Sequence, residues 1–264
     1  GFGLLRTSQI WLHLLRGLCI VGANMAFFAA IAVMPLADAT ALFFVAPLFI
    51  TILAIPFLGE RVGARRLGAV VFGFFGVLVM LRPGVAAHES VLDWRILLLP
   101  IVAAFGYACM QILTRRLGVA SRASAMAVYL QGTFITVSLI FWVVAGDGRF
   151  ADGLENKSAI FLLRAWTWPT EEDWPTFLLL GGMAAVIGYT LSQAYRLADA
   201  ATIAPFEYTA LPLSIFWGWF MFGHFPDHWV LAGIAMIAMA GVYVFMREKK
   251  MSRTVAGARP LRRV

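Results

Sequence analysis

The sequence predicts an all-α, polytopic membrane protein, and three observations lead to this fold class. Apolar residues make up 61% of the chain and charged residues 13%, and the mean hydropathy is +0.84. Soluble domains are about 45–50% apolar and about 25% charged, so this composition excludes a water-soluble globule. The apolar residues are gathered into eight long stretches, and the segments between these stretches are alternately rich and poor in basic residues.

Each apolar stretch is close to the length of a transmembrane helix, which is about 20 residues. In chain order the predicted spans are 12–34, 36–58, 66–81, 94–114, 123–145, 175–195, 201–222 and 229–246. The longest loop, 146–174, is acidic and contains an apolar segment, 158–169, that is too short to span. Because this segment carries tryptophans, we expect it to lie at the membrane interface, with an external lid as the alternative.

The basic residues orient these spans. If the C-terminal tail is cytoplasmic and successive loops alternate sides, most Lys and Arg residues fall on the cytoplasmic side. They are Arg6, Arg16, Arg61, Arg65, Arg66, Arg115, Arg116, Arg122, Arg196, Arg247, Lys249, Lys250, Arg253, Arg259, Arg262 and Arg263. The opposite orientation would break the positive-inside rule. We therefore predict that both ends of this sequence are cytoplasmic and that the net charge of +7 serves topology and anionic-lipid contact, not nucleic-acid binding.

The two halves of the chain resemble each other at a fixed spacing. Pro47 and Pro212 differ by 165 positions (212 − 47), and the same spacing pairs further residues over three successive spans. These pairs are Leu48/Leu213, Gly68/Gly233, Gly76/Gly241, Val77/Val242, Val79/Val244 and Arg82/Arg247. In the predicted topology Arg82 is outside and Arg247 is inside. The two copies therefore insert in opposite orientations, as inverted repeats of secondary transporters do.

This spacing also predicts the domains. The first repeat, 1–84, holds three spans; the second, 91–247, holds five; and 248–264 is a basic cytoplasmic tail. Counterparts of the first two spans of the second repeat would lie before Gly1. We therefore expect two helices, roughly 50 residues at about 20 residues per span, to be absent from this sequence. The alternative is a complete eight-helix protein.

Motifs in both halves resemble one protein family. They are MPLADATAL (34–42), LGER (58–61) and GFFGVLVMLRPG (73–84) in the first half, with APFEYT (204–209) and LAG (231–233) in the second. These stretches are similar to the EamA-type drug/metabolite transporter superfamily. The resemblance implies a ten-helix, five-plus-five inverted-repeat carrier that moves small organic metabolites across the inner membrane. Where the first half has Gly59-Glu60 the second has Gly223-His224, so this acidic position is not kept in both copies.

Glu207 is the strongest candidate for a functional residue. It is an acidic residue within a long apolar stretch, and it lies between Pro205 and Pro212. A carboxylate inside the bilayer costs about 3 kcal/mol on insertion scales, so it marks a functional site by default. The prolines break the helix around it and free backbone carbonyls. We expect Glu207 to face a central cavity and to balance a cationic group or carry a proton; the alternative is a protonated, structural glutamate.

Other candidates for substrate contact are aromatic or amide side chains inside the spans. Tyr107 and Gln111 are four residues apart and share a helix face. Tyr208 corresponds to Phe43 at the 165-residue spacing, and Pro47 and Pro212 form a pair of predicted helix breaks. The remaining candidates are Asn24, Gln131 and Gln193. Helix packing is the alternative explanation for each, because such interhelical hydrogen bonds are worth only about 0.6 kcal/mol.

Together these features predict a secondary transporter that works by alternating access. The sequence holds no phosphate-binding Gly-Lys-Ser/Thr loop and no catalytic motif, so an ATP-driven pump or an enzyme is disfavoured. The nearest approach to a metal site is His224, Asp227 and His228 in an external turn, and we predict no metal or cofactor there. A structural membrane subunit is the other alternative. Amino acids, flavins, nucleoside-like compounds and cationic metabolites remain open as substrates, and so does a homodimer.

Overall fold

A computed structural model describes residues 9–59, 63–81, 94–117, 123–197 and 209–257 of the chain. All regular secondary structure among these residues is helical, which confirms the predicted all-α, polytopic class. The helices are α1 (Ile10–Ile31), α2 (Leu36–Phe43), α3 (Ala46–Leu58), α4 (Ala64–Leu81), α5 (Trp94–Leu117), α6 (Ala123–Ala145), α7 (Lys157–Leu163), α8 (Trp174–Leu197), α9 (Ala210–Phe222) and α10 (His228–Gly257).

Within the described residues, each predicted span contains apolar helix. Among the described residues, four stretches are long and apolar enough to cross a membrane: Ile10–Ile31, Leu36–Leu58, Arg95–Leu117 and Met126–Ala145. Shorter apolar helices cover Leu67–Met80, Trp174–Ala184, Ala210–Phe222 and His228–Val244. Residues 201–208 of the seventh predicted span lie outside the described residues. α10 continues past position 246 into a run of good helix formers, Arg247 to Met251.

The predicted span 36–58 is built from two helices. α2 ends at Phe43, a turn follows at Phe44 and Val45, and α3 begins at Ala46 with Pro47 in its first turn. Pro47 has no N–H to donate to the carbonyl of Phe43 four residues earlier, so a continuous helix would lack that hydrogen bond. The interruption therefore comes just before the proline, because the first residues of a helix have no backbone hydrogen bond to donate within it and a proline there loses none.

α4 and α10 cross as antiparallel neighbours. Gly73 of α4 lies against Ala240 of α10, and three residues further along α4, Gly76 lies against Gly233. At this crossing the two backbones touch: a Cβ added to Gly76 would lie 2.9 Å from the carbonyl oxygen of Gly233. The small residues thus allow a closer helix approach than larger side chains would permit.

α1 packs against α5 and α6, and its far end contacts the short helix α7. α5 runs antiparallel to α1, because Arg16 bonds to Thr114 while Ala23 lies against Gly106. α7 is held at this surface by the Ser158 hydroxyl, which donates to the carbonyl of Ala29 at 2.9 Å. It belongs to the loop segment predicted to lie at the membrane interface, and Trp168 beyond it is 86% exposed.

α8 has very different surroundings. Each of its side chains that the structure describes is exposed, including large apolar residues such as Phe177, Leu178 and Ile187. No other described helix packs extensively along it. The described part of the molecule therefore has a packed region, formed around α1, α2, α5 and α10, and an apolar helix, α8, without such packing.

Candidate functional site

An aromatic group lies at the interruption between α2 and α3. Phe43, the last residue of α2, has its ring centroid 5.3 Å from that of Phe27 on α1 and 5.5 Å from that of Tyr107 on α5. Both contacts are edge-to-face, at 63° and 60°. All three residues are half-buried, so their rings are partly accessible. The group joins three helices and presents aromatic surface where a flat solute can stack.

Polar atoms border this aromatic surface. The side-chain amide of Gln111 donates a hydrogen bond to the hydroxyl oxygen of Tyr107 at 2.8 Å. The two residues are one turn apart on α5, as the sequence spacing predicts. An amide and a phenol held together in this way offer fixed donors and acceptors to a ring nitrogen or carbonyl. The structure thus brings together three of the residues singled out from the sequence: Phe43, Tyr107 and Gln111.

The other predicted site residues have diverse locations. Asn24 is half-buried on α1, one turn before Phe27, whereas Gln131 is exposed on α6. Gln193 belongs to α8, but its side chain is outside the described part of the structure. Pro212 lies exposed in the first turn of α9. Glu207, Tyr208 and Pro205 lie outside the described residues, so their positions relative to the aromatic group stay predictions.

A second polar cluster was not singled out from the sequence. Arg16 of α1 is only 8% exposed and donates from Nε to the Thr114 hydroxyl at 2.6 Å and from a terminal nitrogen to the Met126 carbonyl at 3.1 Å. His13, 1% exposed, stacks on Tyr129 of α6 with ring centroids 4.7 Å apart.

The placement of Arg16 adds to the sequence interpretation, which assigns it to the cytoplasmic side as a topology charge. The side of the membrane stays a prediction, and the structure shows that Arg16 lies two turns inside α1 and is buried between helices. A membrane segment tolerates such a residue only where other groups satisfy it. Its position within the predicted span 12–34 was the signal that could have identified it.

The turn before α10, with His224, Asp227 and His228, has a structural role. The carboxylate of Asp227 accepts a hydrogen bond from the backbone N–H of Val230 at 2.9 Å and caps α10. His224 and His228 are exposed on either side of it. Among the described residues, His, Cys, Asp and Glu form no group of three or more that could hold a metal ion. A groove of ≈380 Å³ lies elsewhere, between α4 and α10, with Arg65, Gly68 and Tyr243 on its walls.

Comparison with known proteins places these features in a family context. Residues 2–82 match the model of the EamA-like transporter family. A riboflavin transporter of Rhizobium johnstonii is 31% identical over 256 residues, which cover 97% of this chain and 77% of the relative. A riboflavin transporter of Vibrio cholerae is 29% identical over 94% of this chain and 76% of its own length. An S-adenosylmethionine uptake transporter of Rickettsia prowazekii is 28% identical over 95% of this chain and 76% of its own length. No solved structure matches.

Proposed function

The chain belongs to the EamA-like transporter family and is a membrane transporter of a small organic metabolite, and on that premise we propose a secondary carrier for a flat, nitrogen-rich ring compound bearing a polyhydroxylated or ribose group. Riboflavin and S-adenosylmethionine, named for its relatives, share this chemistry. The observation that carries the proposal is the aromatic group of Phe27, Phe43 and Tyr107 with the Gln111 amide beside it. The rings stack on the heterocycle, and the Gln111–Tyr107 pair hydrogen-bonds to its edge.

The direct test is uptake of labelled solute. Purified protein in liposomes is expected to accumulate tritiated riboflavin or S-adenosylmethionine without altering it chemically, which also separates a carrier from an enzyme. Tyr107→Leu removes a ring and a hydroxyl from the aromatic group, and we expect it to raise KM about tenfold, since a lost stacking and hydrogen-bonding partner is worth about 1–2 kcal/mol. Tyr243→Leu, a matched change at an exposed tyrosine of α10, is the control. Equal KM values in the two variants would remove the aromatic group from the proposal.

We further propose the five-plus-five inverted repeat with domains 1–84 and 91–247, followed by the basic tail. Three features support it. α4 and α10 are antiparallel, as repeat counterparts of opposite orientation must be. α3 and α9 both have 13 residues and both begin at alanine. Both are followed by a C-cap glycine, Gly59 or Gly223, with φ of 68°. The C-cap glycines of these two helices are 164 positions apart (223 − 59), whereas the two prolines are 165 apart. Pro47 and Pro212 therefore differ by one position within the first turns of their helices.

Glu207 completes the proposed mechanism. We propose that it carries a coupled proton or balances the positive charge of a solute such as a sulfonium compound. Glu207→Gln removes the charge and keeps the shape, so solute flux should lose its response to an imposed pH gradient. Glu172→Gln, in the external loop, is the control. Retained pH response together with an unchanged KM for S-adenosylmethionine in Glu207→Gln would assign the glutamate a structural role.

The distribution of basic residues also bears on the membrane and on the side at which the C terminus lies. We propose the inner membrane with a cytoplasmic C terminus, because the basic residues gather on the side of the tail. A reporter enzyme that is active only outside the cytoplasm, fused after Val264, should be silent, while the same reporter inserted near Asp152 should be active.

A further inference from the structure

Arg16 connects three helices at one end of the molecule. Its Nε donates to the hydroxyl of Thr114 in the last turn of α5, and a terminal nitrogen donates to the carbonyl of Met126 in the first turn of α6. Thr114 in turn donates to the carbonyl of Met110 at 2.8 Å, so its hydroxyl accepts from one helix and donates within its own. This chain of hydrogen bonds links α1 to both α5 and α6.

Burying the charged side chain of Arg16 costs free energy that a residue with only a packing role would not cost. Its side chain is 8% exposed, and no carboxylate among the described residues lies within ion-pair distance of it. Its hydrogen bonds to Thr114 and Met126 compensate the buried cation in part. A leucine or methionine would fill the same volume without burying a charge. The planar guanidinium, however, donates to acceptors on two different helices in fixed directions, which an apolar residue cannot do.

The residues of α5 that meet Arg16 and those of the aromatic group lie on one helix face. Tyr107, Gln111 and Thr114 are spaced by four and three residues, which places them in a row along α5. We propose that Arg16 is a positioning residue for transport: by holding Thr114 it sets the orientation of α5 and thereby presents Tyr107 and Gln111 to the substrate. This inference rests on the proposed function for its substrate, but the orientation of α5 is measurable without any substrate.

A residue that only stabilises the fold would have a different signature. Its loss would lower the amount of folded carrier and the Vmax of the preparation, while each folded molecule would bind substrate with the original KM. Loss of a positioning residue instead raises KM in the molecules that do fold, because a displacement of about 1 Å at a binding group can cost up to 100-fold.

The transport experiment uses riboflavin and S-adenosylmethionine as probes. Arg16→Met and Thr114→Val should each raise KM about tenfold while Vmax per folded carrier changes less than about twofold, as expected when supporting residues of a site are removed. Thr114→Ser keeps the hydroxyl and should restore the wild-type KM. Thr136→Val is the matched control, since Thr136 makes the same local bond, to the carbonyl of Gly132 at 2.8 Å, on an exposed face of α6. Unchanged KM in both Arg16→Met and Thr114→Val would overturn the inference.

A distance measurement decides the question even if the probes are not transported. Spin labels attached to cysteines introduced at Leu15 of α1 and Val102 of α5, both exposed, report the relative placement of these helices. Cys19 and Cys109 are first replaced by alanine. We expect the distance distribution to shift or broaden in Thr114→Val and to stay narrow in Thr114→Ser. A distribution in Thr114→Val identical to that of the parent would overturn the positioning role, whereas failure of the wild type to transport either probe would count against the proposed function alone.

Discussion

α1 and α8 are counterparts at the 165-residue spacing, yet their environments are opposite. α1 buries His13, Arg16 and Gly17 against α5 and α6. The corresponding residues of α8 are Leu178, Gly181 and Gly182, and all three are exposed. Helices at corresponding positions of the two proposed repeats therefore contact very different surfaces.

The difference shows which factor decides where polar residues are allowed in a membrane helix. Inside a bilayer a polar group is tolerated only where another part of the protein satisfies it. α5 and α6 provide hydroxyl and carbonyl acceptors beside α1, and α1 has an arginine there. No described helix provides such partners along α8, and its described central residues are almost entirely apolar.

The largest expected effect comes from placing an arginine on α8. Gly181→Arg puts at this helix the residue that its counterpart carries, but without the acceptors of α5 and α6. An unsatisfied arginine within a span costs about 2.5–3.5 kcal/mol on insertion scales, so membrane yield and melting temperature should fall well below those of Gly181→Leu. Equal behaviour of the two variants would mean that α8 has polar partners of its own, and the contrast with α1 would disappear.

A smaller effect is expected from enlarging the paired glycines. A Cβ at Gly17 would collide with the side chain of Thr133, whereas nothing lies within 4 Å of one at Gly182. Gly17→Leu should therefore lower the free energy of unfolding by about 1–3 kcal/mol through overpacking, and Gly182→Leu should not. Thermal unfolding in detergent measures both. Gly22→Leu is the control on α1 itself, because a Cβ at Gly22 also meets open space. If Gly22→Leu lowered the free energy of unfolding as much as Gly17→Leu, the destabilisation would come from a leucine on α1 in general and not from the collision with Thr133.

The smallest effect concerns the beginning of α8. The carboxylate of Asp173 accepts hydrogen bonds from the backbone N–H and the hydroxyl of Thr170, at 2.9 and 2.8 Å, and these bonds hold the pKa of Asp173 below its ordinary value. Because the folded-state pKa is lowered, this stabilisation is present above the unfolded pKa of about 3.9 and is lost as the pH falls through the folded value. Asp173→Asn should thus melt slightly below wild type at pH 7, with the difference vanishing in acid. A constant difference from pH 7 to pH 3 would show that the carboxylate charge is not involved.

Much of the fold is readable from the sequence because span length and apolar composition are local properties. Helices occupy the described parts of the eight predicted spans, and the spacing of Tyr107 and Gln111 correctly placed them on one face. The site was harder to derive because it depends on which helices meet. Phe27 joins the aromatic group only through the packing of α1 on α2 and α5, and nothing in its own neighbourhood in the sequence distinguishes it from Phe28.

The burial of Arg16 could not be predicted from the sequence either, because it also depends on which helices meet. A basic residue near the beginning of a span fits a cytoplasmic anchor equally well, and only Thr114 and Met126, about 100 residues away, reveal that it is buried. Gln131 is exposed on α6, and its contact with a substrate stays a prediction.

The crossing of α4 and α10 restricts how this carrier can vary. At most helix contacts, a larger side chain on one helix is tolerated if the side chain opposite becomes smaller, so the two positions can change together. Gly76 and Gly233 have no side chain left to reduce, and a methyl group on either would press on the opposite backbone. A larger residue at one of these positions cannot be compensated by a smaller one at the other. Larger side chains fit here only if the two helices move apart.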